Sequence, residues 1–273
     1  MRSLPQSERR EQMLRNSTEL KGFVIRATDG ELGTVDELYF DDESWAIRYL
    51  TVETGGWLSE RKVLISPFSI EEIDWQAKRL KVALSKQQVE NSPDINTHLP
   101  VSRQQEASYL GYYQYPYYWG GPYLWGPAYQ PVGFQPVAAP AYELSYGTGQ
   151  SSNSHLRSTA GVEGYHIEAA DGEIGHVNGF IFDDDVWAIR YIEVATKNWW
   201  PGKHVLVSPA WIDRVSWAES KVFTGLTRGV IQSAPEYIES RTIAREYEDR
   251  LYSHYGRPPY WRQGAEKFSL TGG

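Results

Sequence analysis

The sequence predicts an all-β protein with minor helix, built as two small β-barrels in tandem, each followed by a short helix and an aromatic, Pro-containing tail. Three observations carry this. A segment of about a hundred residues occurs twice at a constant shift. Each copy holds several short, turn-separated apolar runs with hardly any helical period. The stretch between the copies has the composition of a linker.

The repeat is read directly. Residues 29–33 are DGELG and 171–175 DGEIG; 45–49 and 187–191 are both WAIRY; 63–67 are VLISP and 205–209 VLVSP. Each pair is 142 residues apart with no gap. Trp57 matches Trp199, Trp75 matches Trp217, and the register continues through Arg103 and Arg245 to Tyr118-Trp119 and Tyr260-Trp261. The repeat runs from about Leu20 to Trp119 and from Val162 to Trp261. Gly120 to Gly161 carries only two charged residues, Glu143 and Arg157. The expected domains are a polar segment 1–19, barrel 20–92, helix and tail 93–119, linker 120–161, barrel 162–234, and helix and tail 235–273.

Within the first copy, Lys21–Thr28 is a β-rich stretch closed by the turn pair Asp29-Gly30. Gly33–Phe40 alternates. Asp41-Asp42-Glu43-Ser44 reads as a solvated turn. Trp45–Thr54 is the clearest strand, with Ile47, Tyr49 and Thr51 on one face and Arg48, Leu50 and Val52 on the other. Lys62–Ile65, Ile70–Trp75 and Arg79–Leu84 add short strands. Ser85–Glu90 reads as a helical turn ended before Pro93. Ser102–Tyr109 and Ala244–Tyr252 are the best helix candidates.

Composition narrows the function. The chain has 273 residues, 41% hydrophobic and 23% charged, which is globular. It has no cysteine, which excludes disulfides, thiolate metal sites and cysteine nucleophiles. A net charge of −8 disfavours direct nucleic-acid binding. No apolar run is long enough to span a bilayer. Residues 1–20 lack the apolar core of a secretory signal, which makes a cytoplasmic protein the expectation.

The pattern L-K-G…A-T-D-G-E-L-G-T-V…F-D-D…W-x-I-R-Y-L…V-L-I-S-P at Leu20–Pro67 recurs at Val162–Pro209, with Val162-Glu163 in place of Leu-Lys. It closely resembles the PRC-barrel family. That family shares its fold with the cytoplasmic domain of the photosynthetic reaction-centre H subunit and the C-terminal domain of a small-subunit ribosome-maturation factor. The resemblance implies a six-stranded barrel of roughly 80 residues per copy, with no shared catalytic site. It implies a binding or assembly role. Two alternatives come by analogy: a membrane-complex role in light reactions or electron transfer, and an accessory role in ribosome maturation.

Asp41-Asp42-Glu43 and Asp183-Asp184-Asp185 lack the spaced ligands of a calcium loop. His98, His155, His166, His176, His204 and His254 contain no helical zinc pair, so no metal and no cofactor is expected. No nucleophilic or paired-carboxylate motif stands out, so no catalytic residue is expected and the chain is read as a non-enzyme. Arg48 and Arg190 are candidate partner contacts or outer-face ion pairs. Trp45 and Trp187 read as core. Trp57 and Trp199 follow loop-like residues and are candidate binding anchors, because large aromatics dominate interface hot spots. Tyr118, Trp119, Tyr260 and Trp261 in the tails are the remaining candidates. The segment YYQYPYYWGGPYLWGPAY at 112–129 is expected to dock up to Trp119 and to be disordered beyond. The expected partner is a protein, with peripheral membrane association as a further reading. The two barrels are expected to pair within the chain.

Overall fold

The structure, a computed structural model, describes residues 13–56, 58, 63–93, 101, 103–131, 155–196 and 203–262. A short arm, β1 (Leu14–Asn16), leads through a 3-10 turn into the first unit. That unit comprises β2 (Val24–Ala27), β3 (Gly30–Asp41), β4 (Ile47–Glu53), β5 (Val63–Ile65), β6 (Ile70–Asp74), β7 (Arg79–Val82), α1 (Lys86–Glu90) and α2 (Arg103–Tyr112). A second arm, β8 (Leu156–Ser158), continues as α3 (Thr159–Val162). The second unit follows with β9 (His166–Ala169), β10 (Gly172–Asp183), β11 (Ala188–Thr196), β12 (His204–Val207), β13 (Ile212–Ser216), β14 (Lys221–Thr224), α4 (Arg228–Ser233), β15 (Glu236–Tyr237) and α5 (Arg245–Tyr255).

Both sheets follow one plan. The first has the order β5-β4-β3-β2-β7-β6, the second β12-β11-β10-β9-β14-β13, and the one parallel pair is β2 with β7 or β9 with β14. The long strands bend at bulges between Val35 and Leu38 and between Val177 and Gly179. Gly33 is needed where β3 meets β4: a Cβ there would lie 2.1 Å from the Glu53 carbonyl oxygen. Ile47–Val52 are buried on both faces of β4, so the strand's alternation marks which side each residue packs on, not exposure. Ser85 caps α1 through a reciprocal bond pair with Gln88.

The expected closed, six-stranded barrels are not what forms. Among the described residues no ladder joins β5 to β6 or β12 to β13, so the sheets are open. The chain between β5 and β6 uses its backbone in a 3-10 turn capped by Ser66, and Pro67 has no N–H to donate. In the second sheet the outer edge of β12 is taken by β15, with His204 opposite Tyr237 and Val205 opposite Glu236. That occupies the groups that closure would need.

The arms cross over. β1 pairs with β10 of the second unit, Leu14 opposite Asp183 and Asn16 opposite Ile181. β8 pairs with β3 of the first unit, Leu156 opposite Asp41 and Ser158 opposite Tyr39. Leu14 and Leu156 are again 142 residues apart, and both are buried. Leu14–Asn16 lies in the expected polar segment and Leu156–Ser158 in the expected linker. Each is a strand laid on the other unit.

Between the units, Ala46 bridges Ala188, and the Trp45 and Trp187 carbonyls accept from the Ile189 and Ile47 amides at 2.8 Å each. Both tryptophans sit at positive φ, 56° and 57°, a conformation bulky residues rarely adopt. The left-handed kink turns each carbonyl toward the opposite strand. Trp187 is fully buried and Trp45 partly so. Phe40 meets Phe180 at 5.4 Å across the same seam.

Candidate functional site

The densest chemistry lies where each tail folds back over its sheet. In the first unit α2 carries Glu106 to the interior, 0% exposed. Its Oε1 accepts from the Tyr49 hydroxyl at 3.1 Å and the Tyr118 hydroxyl at 2.6 Å. Its Oε2 meets His155 Nε2 at 3.0 Å and lies 3.6 Å from Arg103. His155 belongs to the second arm. Burial lowers its pKa, but the hydrogen bond and charge of Glu106 outweigh this and leave it raised. Burial, then the Glu106 charge, pushes both phenols well up, so they stay neutral donors.

Arg48 lies beneath this network. Its guanidinium is 3.7 Å from the Tyr118 ring centre and 4.8 Å from that of Trp125. It donates to the Leu124 carbonyl at 2.8 Å and Ser44 Oγ at 3.0 Å, and Nε faces Asp41 at 3.8 Å. Burial lowers its pKa, but arginine keeps its charge even so. Residues 123–128 form a tight tongue with bridges Tyr123 to Gly126 and Trp125 to Ala128. Trp125 inserts against Phe68 at 4.9 Å, and its Nε1 donates to the Val186 carbonyl of the second unit at 2.8 Å. The expected disorder beyond Trp119 is therefore corrected as far as Pro131. The reason is Trp125, a large ring with a polar tip that finds a pocket and an acceptor. Residues 132–154 lie outside the described residues.

The second unit repeats the plan with changed partners. Glu248, from α5, accepts from Tyr191 at 2.6 Å and Tyr260 at 3.2 Å, and Arg245 donates to it at 2.7 Å. Burial raises the Glu248 pKa against the opposing pull of the Tyr191 hydrogen bond and the Arg245 charge. Arg190 is paired with Asp183 at 2.9 Å and lies 4.2 Å from the Tyr260 ring centre. Burial opposes its charge, but Asp183 outweighs this and raises its pKa. Arg245 lies over the Trp261 ring at 4.2 Å. Both networks pin a tail to a sheet with donors and acceptors facing each other, an arrangement that holds structure and presents no free base or nucleophile of its own.

The candidate residues separate on this geometry. Arg48 and Tyr118 are buried, so neither stands at the surface as an outer-face contact. Arg190 is largely covered, with its side chain 12% exposed. Trp119, Tyr260 and Trp261 are partly buried and keep some surface. Trp57 and Trp199 lie outside the described residues. The acidic runs are turns, and only in part solvated: Asp41, Asp183 and Asp184 are buried, Asp42 and Asp185 are half-buried and Glu43 is exposed. Asp41 Oδ1 accepts the Glu43 and Ser44 amides, and Asp183 Oδ1 the Asp185 amide. Sequence reasoning missed Glu106, Glu248, His155 and Trp125. The glutamates share the 142-residue shift and were findable; His155 and Trp125 break the repeat and gave no signal.

Among the described residues no group of three His, Asp or Glu is placed to hold a metal ion, and no helix is long and apolar enough to cross a membrane. No curated protein matches the chain. The model of the PRC-barrel domain matches residues 14–89, from the first arm through α1, so the first unit carries a PRC-barrel domain.

Proposed function

We propose that the chain is a non-enzymatic protein-binding and assembly module that presents two PRC-type units to its partner. The observation that carries this reading is the PRC-barrel match over residues 14–89. The second unit is read as a second copy of the same domain, because its strands follow the same order at the same 142-residue shift. Two copies give avidity when both engage. Crossed arms and the Trp45–Ile189 and Trp187–Ile47 bonds support pairing of the units in solution. Solution scattering that fits two independent bodies would remove that pairing. A cytoplasmic location is part of the reading; recovery in a membrane pellet after fractionation would count against it.

The surface for a partner is assigned to Trp57 and Trp199 together with Trp119, Tyr260 and Trp261, with Arg190 at the margin. Tyr123 and Tyr129, 50% and 55% exposed, add aromatic surface on the tongue. Arg48 and Tyr118 serve the partner surface only indirectly, by holding the tongue in place. Affinity capture of the tagged full-length chain from its own cells tests this. The wild type should recover a discrete protein partner, and Trp57→Ala/Trp199→Ala should lose most of it. Equal recovery by both proteins would remove Trp57 and Trp199 from the site.

A further inference from the structure

The two arm seats are built alike but with their carboxylates exchanged between strands. On the second unit, Asn16 of the first arm donates from Nδ2 to Glu193 Oε2 at 3.1 Å. Glu193 projects from β11 and also takes Asn178 Nδ2 at 2.9 Å and His204 Nδ1. On the first unit, Ser158 of the second arm donates from Oγ to Glu37 Oε2, and Glu37 projects from β3. The position matching Glu37 is Gly179, and the position matching Glu193 is Thr51. Each seat thus sets one glutamate against the Asn16 or Ser158 position, on opposite strands.

Space follows the exchange. A Cβ on Gly179 would already touch Glu193 Oε2 at 3.4 Å and Asn16 Oδ1 at 3.7 Å, so a second carboxylate there would crowd the first. Thr51 Oγ1 instead accepts the Glu37 amide at 3.1 Å. The arms differ to match. Asn16 is long and reaches β11; Ser158 is short and meets the longer reach of Glu37. One residue set is common to both arms: Arg15 faces Asp184 at 3.9 Å and lies over Trp75, while Arg157 pairs with Asp42 at 2.8 Å and lies over Trp217. The shared arginines hold an arm in either seat. The differing residues tell the seats apart.

We infer that the arms are addressed: the Glu193 seat selects the Asn16 arm and the Glu37 seat selects the Ser158 arm, so the surface fits a first unit to a second unit and disfavours like with like. Specificity of this kind comes from what a wrong pairing leaves unmet. Ser158 on the second unit would fall short of Glu193, a buried carboxylate. Asn16 on the first unit would bring a longer side chain to a seat shaped for serine. The rule applies within one chain and equally to a second copy of this chain exchanging arms with the first.

Double-mutant cycles on the full-length chain, read by denaturant unfolding, test it. Asn16→Ala with Glu193→Gln, and Ser158→Ala with Glu37→Gln, should each show coupling of about fivefold or more in the unfolding equilibrium constant. The crossed pairs, Asn16 with Glu37 and Ser158 with Glu193, should be additive within about twofold. Equal coupling in the crossed pairs, or additivity in the matched ones, overturns the inference. A second set exchanges whole features. Asn16→Ser/Ser158→Asn should lower the unfolding midpoint. Adding Glu37→Gly/Thr51→Glu/Gly179→Glu/Glu193→Thr should bring part of it back. A midpoint unchanged by the arm exchange would also overturn it; if that variant does not fold, the conservative cycles decide.

Discussion

The two units place a buried glutamate in the same position, and differ in what neutralises it. Glu106 meets a histidine carried in on the other unit's arm, with Arg103 held back at 3.6 Å. Glu248 has no histidine, since the matching arm position is Met13, and Arg245 closes to 2.7 Å. The first unit also takes in Trp125 from a tongue that extends beyond the repeat. The frame, in short, is duplicated while the polar and aromatic inserts have diverged. Both units receive an arm, but only the first draws a histidine from its arm and a tongue tryptophan into its tail; the second completes its glutamate network from its own tail.

The largest test of that asymmetry is Trp125→Ala. Trp125 is 1% exposed, touches Phe68 and bonds the Val186 carbonyl. Removing a buried ring of this size costs about 3–5 kcal/mol. Trp261→Ala, at a ring only partly buried in the second unit, should cost less, about 2 kcal/mol, because part of its surface already faces water. Urea unfolding of both variants measures this. Equal losses would mean that the tongue is not what completes the first unit.

Next come the glutamates themselves. Glu106→Gln should cost about 2 kcal/mol, because the amide leaves His155 and Arg103 facing a group with no charge to offer. Glu248→Gln should cost about 1 kcal/mol. Burial already opposes the Glu248 charge and raises its pKa, so the neutral amide relieves part of what it removes. The reverse order would show that the arm histidine contributes little to the first network.

Strands were readable because alternation and turns are local: Asp29-Gly30 lies at the β2–β3 hairpin and the Ser66-Pro67 break stands between β5 and β6. The helix candidates fell at α2 and α5 for the same reason. Closure was not readable, because it depends on which edge a two-residue strand such as β15 takes. Burial of Arg48 was not readable either: Tyr118 and Trp125 together cover it, and Trp125 is 77 positions away and outside the repeat. The arms gave a signal, Leu-Arg at 14–15 and 156–157, too short to separate from its polar surroundings.

The pH dependence should single out the arm histidine, because the other raised groups, Glu248, Asp42 and Glu163, are carboxylates that titrate in a lower window. His155 has its pKa raised above the ordinary 6.5. A group with a raised folded pKa stabilises most when protonated, so its contribution is full below 6.5 and is lost as pH rises through the raised value. Glu248 is raised above 4.5, so its contribution runs the same way but starts lower. Thermal midpoints measured from pH 4 upward should fall in two steps for the wild type. His155→Met, which gives the first unit the second unit's arm residue, should flatten the upper step and leave the lower. An unchanged upper step in that variant would place the titration elsewhere.

The smallest effect concerns how the two tail helices end. α2 stops with Gln114 at φ 59°, and α5 stops at the matching position with Gly256 at φ 62°. Both turns close with the same bonds: Tyr115 to Leu110 and Arg257 to Tyr252. The left-handed conformation suits glycine, which has no Cβ to clash, and strains glutamine. Gln114→Gly should therefore stabilise the chain by about 0.5–1 kcal/mol, and Gly256→Gln should destabilise it by about 1 kcal/mol. The opposite signs at one shared position make the pair informative, because any general effect of glycine on the unfolded chain would push both changes the other way. A Gln114→Gly variant that loses stability would show that the glutamine side chain holds the first tail in a manner its counterpart does not need.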